Sequence, residues 1–196
     1  QFQTTNNIKA FQEAQLQQEL TYLSAHSKFY GKMFSENNID IKTIKTIEDL
    51  TKLPVTTKRD LQLFNEDFIC VDKSEIIDYV TTSGTLGDPV TFALTNNDLS
   101  RLAYNEHLSF ATAGCSKEDI IQLMTTLDRR FMAGIAYFMG ARDLGCGVVR
   151  VGNGIPELQW DSIKRIHPNR CVVVPSFLLK LIDYAEANGI DYKNSP

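Results

Sequence analysis

Apolar positions along the chain change their period near residue 75. Before that point Leu16, Leu20, Leu23, Tyr30 and Phe34 recur at spacings of three, four and seven, the mark of one helical face. The spacing predicts helical structure over residues 8–66, with Gly31 as the place where a helix ends or restarts. Thr57 and Asp60 read as a capping box ahead of Leu61 and Phe64. The polar run at residues 1–7 is expected to fray.

Beyond residue 75 the apolar residues fall into short runs. Ile76, Ile77, Tyr79 and Val80 precede a glycine-rich loop, and Val90, Phe92 and Leu94 follow it with period-two alternation, which predicts strand, loop and strand. Thr95 and Asp98 open a second capped helix, and Gly114 supplies its stop. Strands and helices then alternate: strand Ile120–Met124, helix Met132–Leu144, strand Val148–Val151, helix Pro156–His167, strand Val172–Val174 and helix Ser176–Asn188, ended by Gly189. In the last helix Leu178, Leu181, Ile182 and Ala185 make one stripe, with Lys180, Asp183 and Glu186 opposite. The short Val-rich runs suit strands buried on both faces.

This order predicts an α/β fold, a doubly wound, mostly parallel sheet flanked by helices and preceded by a small helical N-terminal segment. The segment is expected over residues 1–72 and the α/β domain over 73–196. In such sheets ligands bind beyond the carboxyl ends of the strands. That points to Thr125–Phe131, Gly152–Gly154 and Pro175–Phe177.

Composition narrows the function. Net charge is −4 with no basic block, which argues against a nucleic-acid partner. Cys70, Cys115, Cys146 and Cys171 are widely spaced, with no C-x-x-C pair, so they read as small buried hydrophobes in a reducing compartment, not as a metal site. His26, His107 and His167 are equally scattered. No basic-then-apolar leader and no apolar run of about 18 residues occurs, so a cytoplasmic location without a membrane partner is expected.

The chemistry concentrates in Thr81–Phe92, T-T-S-G-T-L-G-D-P-V-T-F. Glycines allow positive φ, so backbone N–H groups can turn inward. With the hydroxyls of Thr82, Ser83 and Thr85, a loop built on Gly84 and Gly87 makes a cradle for an anion such as the phosphates of a nucleotide. Read from residues alone, a plain hairpin turn using Gly-Asp-Pro fits equally well. A Walker loop does not, because no lysine closes the motif and no helix follows. Nor does Ser83 sit in a G-x-S-x-G elbow. Arg129 and Arg130 offer forks for a carboxylate or phosphate, one of them as a solvated charge. Met132 and Ile135 read as the apolar stripe of their helix, and Ser176 as a helix cap.

The loop resembles the phosphate-binding signature of adenylate-forming enzymes, matched at Thr82, Ser83, Gly84, Thr85, Gly87 and Pro89. Four more features resemble landmarks of the phenylacetate–CoA ligase branch, in the same order. They are Leu53–Leu61, Asn96–Leu99, the Phe131–Gly134 and Leu144–Gly145 pair, and Val174–Phe177. The resemblance runs from about Leu20 to Tyr192 and implies the first part of an AMP-binding domain. It implies a ligase that uses ATP, Mg2+ and CoA to turn a small-molecule carboxylic acid first into an acyl-adenylate and then into a thioester. It also implies an acyl pocket at Phe131, Gly134, Phe138, Pro175 and Ser176, and catalytic residues beyond Pro196, so that this chain alone is inactive. It leaves room for a homodimer.

Three departures stand out. Leu86 replaces the second threonine of the usual loop, Asp88 stands where lysine is frequent, and Phe138 replaces a frequent histidine. The first two weigh against tight nucleotide binding and the third against phenylacetate itself. They keep open a non-catalytic nucleotide- or acid-binding paralogue, and transfer to a protein thiol is a third reading.

Overall fold

The computed structural model describes residues 3–82, 84 and 88–195. The chain divides into two compact units, Gln1–Ile76 with Thr82–Ala93, and Ile77–Thr81 with Leu94–Pro196.

In the first unit, α1 (Thr5–His26) is capped by the Thr4 hydroxyl and runs into α2 (Lys28–Glu36). The break falls at Ser27 instead of the expected Gly31. Buried Ser27 accepts a hydrogen bond from the Tyr30 N–H and donates one to the Asp67 carbonyl, so one side chain both starts α2 and ties it to a distant loop. Gly31 lies inside α2, where no close contact demands a glycine. Fraying is also shorter than expected, since α1 already begins at Thr5.

Leu20, Phe34 and Ile44 form the core of this unit, with Leu16, Tyr30 and Leu53 packed around them. Residues 37–57 are irregular chain with short 3-10 turns, not the continued helix that the spacing suggested. Helix α3 (Lys58–Leu63) follows, with the expected Thr57–Asp60 capping box in place.

Strands β1 (Ile76–Thr81) and β2 (Thr91–Thr95) form a two-stranded sheet, and within them the chain passes from one unit to the other.

The second unit contains α4 (Asn96–Thr112), β3 (Ile120–Leu123), α5 (Met132–Leu144), β4 (Gly147–Arg150), α6 (Pro156–Ile166), β5 (Arg170–Val172) and α7 (Pro175–Ala187). The Thr95–Asp98 capping box starts α4, and Gly114, at φ 81°, follows its end. The sheet order is β4-β3-β5, with both pairings parallel. Successive residues of β3 point to opposite faces. Ile121 and Leu123 join Ala141 of α5 and Cys146 in the main core, while Gln122 hydrogen-bonds Gln159 of α6. Helices therefore cover both faces, the doubly wound arrangement.

Gly140 lets α4 and α5 pack closely. A Cβ there would lie 2.3 Å from the Glu106 Cβ and 2.9 Å from the His107 backbone nitrogen. His107 and Asp143 join the same two helices through a 2.7 Å Nδ1–Oδ2 contact.

Several expectations need correction. Strand β5 ends at Val172, because Pro175 starts α7 and holds its neighbour Val174 extended as the helix cap. Ser176 is thus in the first turn and not the cap. Of the three strands only β3 is buried through most of its length; β4 and β5 are more exposed. Met132 is exposed instead of lying in the core stripe, and so is Leu178. Cys171 is exposed as well, unlike buried Cys146.

Candidate functional site

The glycine-rich loop has a built base. The Thr82 N–H donates to the Val90 carbonyl at 3.0 Å, and the Val90 N–H donates to Thr82 Oγ1 at 3.0 Å. These reciprocal bonds close the loop at its neck, above fully buried Val90. Gly84 stands at φ 67°, a conformation that costs a side-chain-bearing residue about 1–2 kcal/mol. Ser83, Thr85, Leu86 and Gly87 lie outside the described residues.

Two amides from just beyond the Leu53–Leu61 segment hold the exit of the loop. Gln62 Nε2 donates to the Asp88 carbonyl, and Asn65 Nδ2 donates to the Thr91 carbonyl at 2.8 Å. Asp88 itself is exposed to solvent.

At the carboxyl ends of the second unit's sheet, the Gly152 N–H donates to the Leu123 carbonyl at 3.1 Å and the Met124 N–H to the Val172 carbonyl at 3.0 Å. The three exits are thereby tied together around the end of β3. Thr125 comes next. It is 8% exposed, and its Oγ1 has no hydrogen-bond partner among the described residues.

Thr126 backs directly onto α5. A Cβ at Gly134 would lie 1.9 Å from the Thr126 carbonyl oxygen. Gly134 is therefore what lets the β3–α5 connection cross the helix so closely. The connection then passes through Arg129 and Arg130, both left-handed at φ 58° and 60°, and the Arg130 carbonyl accepts the Thr81 N–H at 3.0 Å. Both arginine side chains face solvent.

The five residues expected in an acyl pocket are thus distributed unevenly. Gly134 touches the end of β3 through Thr126, and Pro175 begins α7 three residues after Val172. Phe131 precedes the first turn of α5 and is 46% exposed. Ser176 is exposed beside Pro175. Phe138 lies deeper, packed on the Ile121–Leu123 core with the Arg150 guanidinium 5.2 Å from its ring centre.

Sequence reasoning missed a polar relay behind this surface. Gln122 and Gln159 are both fully buried. Gln122 Nε2 donates to Gln159 Oε1 at 2.8 Å, and Gln159 Nε2 donates to the carbonyls of Gly152 at 2.9 Å and Gly154 at 3.2 Å. The relay anchors a loop whose Gly152, Gly154 and Ile155 are all left-handed. A polar residue inside the apolar run Ile120–Met124 was the available signal.

Burial pushes the Cys146 thiol up, and its Sγ donates to the Ser116 carbonyl; a thiol so held is a poor thiolate source. Among the described residues no group of His, Cys, Asp and Glu could hold a metal ion, and no helix is long and apolar enough to cross a membrane. What the arrangement can do is bind and orient.

Comparison with known proteins finds a similar fold and similar sequences. The fold matches that of 2-hydroxyisobutyryl-CoA ligase, solved with its acyl-AMP and CoA, with a TM-score of 0.85 at 24% identity, covering 96% of this chain and 41% of that one. The likeness is one of fold, an α/β domain with helices on both faces of a parallel sheet. In sequence the chain is 29% identical to the phenylacetate–coenzyme A ligase of Pseudomonas putida over 191 residues, 95% of this chain and 43% of the relative. It is 28% identical to that of Escherichia coli K12 over 184 residues. No family model matches. The chain is thus similar over nearly its whole length to the N-terminal portion of phenylacetate–CoA ligases, and spans less than half the length of these curated relatives.

Proposed function

We propose that this chain supplies the phosphate-holding and acid-holding part of an ATP-dependent acid–CoA ligase. The observation that carries the reading is Gly84, left-handed above the closed Thr82–Val90 neck, inside the sequence that resembles a phosphate-binding loop. Its relatives are named as CoA ligases.

In the proposed reaction a carboxylate oxygen attacks the α-phosphorus of ATP. The bond from that phosphorus to the bridging oxygen breaks, and pyrophosphate leaves with the electron pair. A thiolate of CoA then attacks the acyl carbon and AMP departs. Thr82, Ser83, Gly84, Thr85 and Gly87 would hold the phosphates, contributing position and charge stabilisation without covalent chemistry. Mg2+ would enter with the nucleotide and neutralise phosphate charge. Phe131, Gly134, Phe138, Pro175 and Ser176 would wall the acid. Use of ATP and CoA supports a cytoplasmic location for such an enzyme.

The test is pyrophosphate release by the full protein with ATP and a panel of carboxylic acids. Gly84→Val adds a β-branched side chain where φ is positive and backbone must approach an anion. Release is expected to fall by about two orders of magnitude or more; unchanged release would sink the phosphate-loop assignment. Phe138→Ala probes the acid side. Deleting a ring packed on the core is expected to cost about 2–4 kcal/mol of stability. As a wall, Phe138 should also shift the acid profile toward bulkier members. A lower melting temperature with an unchanged profile would remove Phe138 from the pocket.

A second reading, a nucleotide- or acid-binding module without turnover, is favoured by Leu86 and Asp88. It predicts binding of ATP or acid by the full protein with no pyrophosphate released.

A further inference from the structure

Thr125, directly after β3 and Met124, is a buried polar residue at the carboxyl end of the sheet, and like the Gln122 Oε1 it lacks a partner among the described residues. Its hydroxyl is withdrawn from water yet unpaired among the described residues, and an unmade buried hydrogen bond is costly. Its place is also particular. The sheet order β4-β3-β5 makes β3 the strand at which the connections change sides, the position where ligands bind in open α/β sheets.

On one side the adjoining Thr126 carbonyl is pressed against Gly134. On the other, Met124 bonds to Val172, from which the chain leads to Pro175 and Ser176. Thr125 therefore lies between the two halves of the acid pocket named above. Phe131, Val174 and Ser176, on the segments that follow β3 and β5, are exposed, whereas Thr125 is not.

We propose that Thr125 is a specificity-determining residue whose hydroxyl binds an oxygen substituent on the acid, a hydroxyl or keto group distinct from the reacting carboxylate. This inference rests on the acid–CoA ligase reading. The carboxylate has to remain open to the nucleotide and then to the thiol, so it stays at the exposed mouth. What reaches the buried hydroxyl is the remainder of the acid. A threonine Oγ both donates and accepts, so either a keto oxygen or a hydroxyl completes it. A plain hydrocarbon acid leaves it orphaned, and sites built to bond a substrate hydroxyl reject analogues that lack it.

The experiment measures kcat/KM for pyrophosphate release by the full protein with matched acids, 4-hydroxyphenylacetate against phenylacetate and 3-hydroxybutyrate against butyrate. In at least one pair the oxygenated acid is expected to lead by about ten- to a hundredfold. Thr125→Val, nearly equal in shape, should collapse that ratio, and Thr125→Ser should restore most of it. Equal use of both members of both pairs by the wild type overturns the proposal even if the valine variant fails to fold. So does a ratio that survives Thr125→Val, and in both cases the ligase reading stands. No release above the acid-free background with any of the acids defeats the ligase reading, and this proposal with it.

Discussion

At the amino ends of β3, β4 and β5 the polar groups are tied to one another. Asp119 accepts hydrogen bonds from the Ser116 N–H and from Asn169 Nδ2, Asn169 Oδ1 accepts the Ile120 N–H, and the Asp119 carbonyl accepts the Gly147 N–H. The Arg170 guanidinium stands 3.5 Å from Asp119. At the carboxyl ends, by contrast, Arg129, Arg130 and Ile155 are left-handed, Phe131 and Val174 are exposed, and Thr125 is unpaired among the described residues. His167 is the one left-handed non-glycine residue near the amino ends, and histidine tolerates that region better than isoleucine does. One end of the sheet closes the fold on itself, while the other holds conformations that a fold alone would not require.

The Gln122–Gln159 relay is the sharpest way to break this contrast, since it anchors the carboxyl end from inside. Gln159→Leu strips the carbonyls of Gly152 and Gly154 of their side-chain donor and leaves the Gln122 amide only its 3.3 Å bond to the backbone carbonyl of residue 159. It is expected to cost about 3 kcal/mol, read from urea unfolding. If the loop it holds belongs to the site, KM for the acid should also rise in variants that still fold. A loss of stability with unchanged KM would make the relay purely structural.

The amino end should behave otherwise. Asn169→Ala removes partners from the Ile120 N–H and from buried Asp119, which keeps the Ser116 N–H and Arg170, and about 1–2 kcal/mol is expected. The acid profile should not change. A shifted profile would mean that the two ends are coupled and the contrast is false.

The smallest effect is a pH dependence. The Ser116 N–H first, and then the Asn169 amide and the Arg170 charge, hold the Asp119 carboxyl below its usual range. A depressed carboxylate gives stability that is complete above its unfolded value, near pH 4, and is lost as pH falls through the lower folded value. Urea midpoints followed downward from about pH 6 should therefore fall in the acid range. Asp119→Asn should flatten that slope; an equal slope in the variant would remove Asp119 as its cause.

Much of this architecture is legible along the chain. The capping boxes at Thr57 and Thr95 and the stops at Gly114 and Gly189 act through near neighbours, and they appear where local rules put them. The run Ile120–Met124 reads as the buried strand because burial on both faces leaves a segment that is apolar except at Gln122. What fails is set by distant contacts. Ser27 breaks the first helix because Asp67, forty residues away, offers an acceptor. Strand β5 is the local exception: Val172 accepts the Met124 N–H, and Pro175 then takes the chain into α7, so Val173 and Val174 are left outside despite their β preference. Of the candidate site, the glycine loop and the three strand exits are readable as motifs. The orphaned hydroxyl of Thr125 is not, because burial without a partner is a property of the packed molecule.

The register of the sheet also sets an order of assembly. β3 meets β4 across 27 residues, Ile120 to Gly147, with α5 inside the interval, whereas β5 lies 49 residues from its partner, Ile121 to Arg170. Chain entropy separates these two closures by only about 0.5 kcal/mol. The difference lies in what each one buries. Joining β3, α5 and β4 assembles the Ile121, Leu123, Ala141 and Cys146 cluster in one step, and β5 then adds Val172 to its margin. During synthesis the β3–α5–β4 unit can therefore condense while β5 is still being made, and in the finished protein the amide hydrogens of β5 should exchange with solvent well before those of β3.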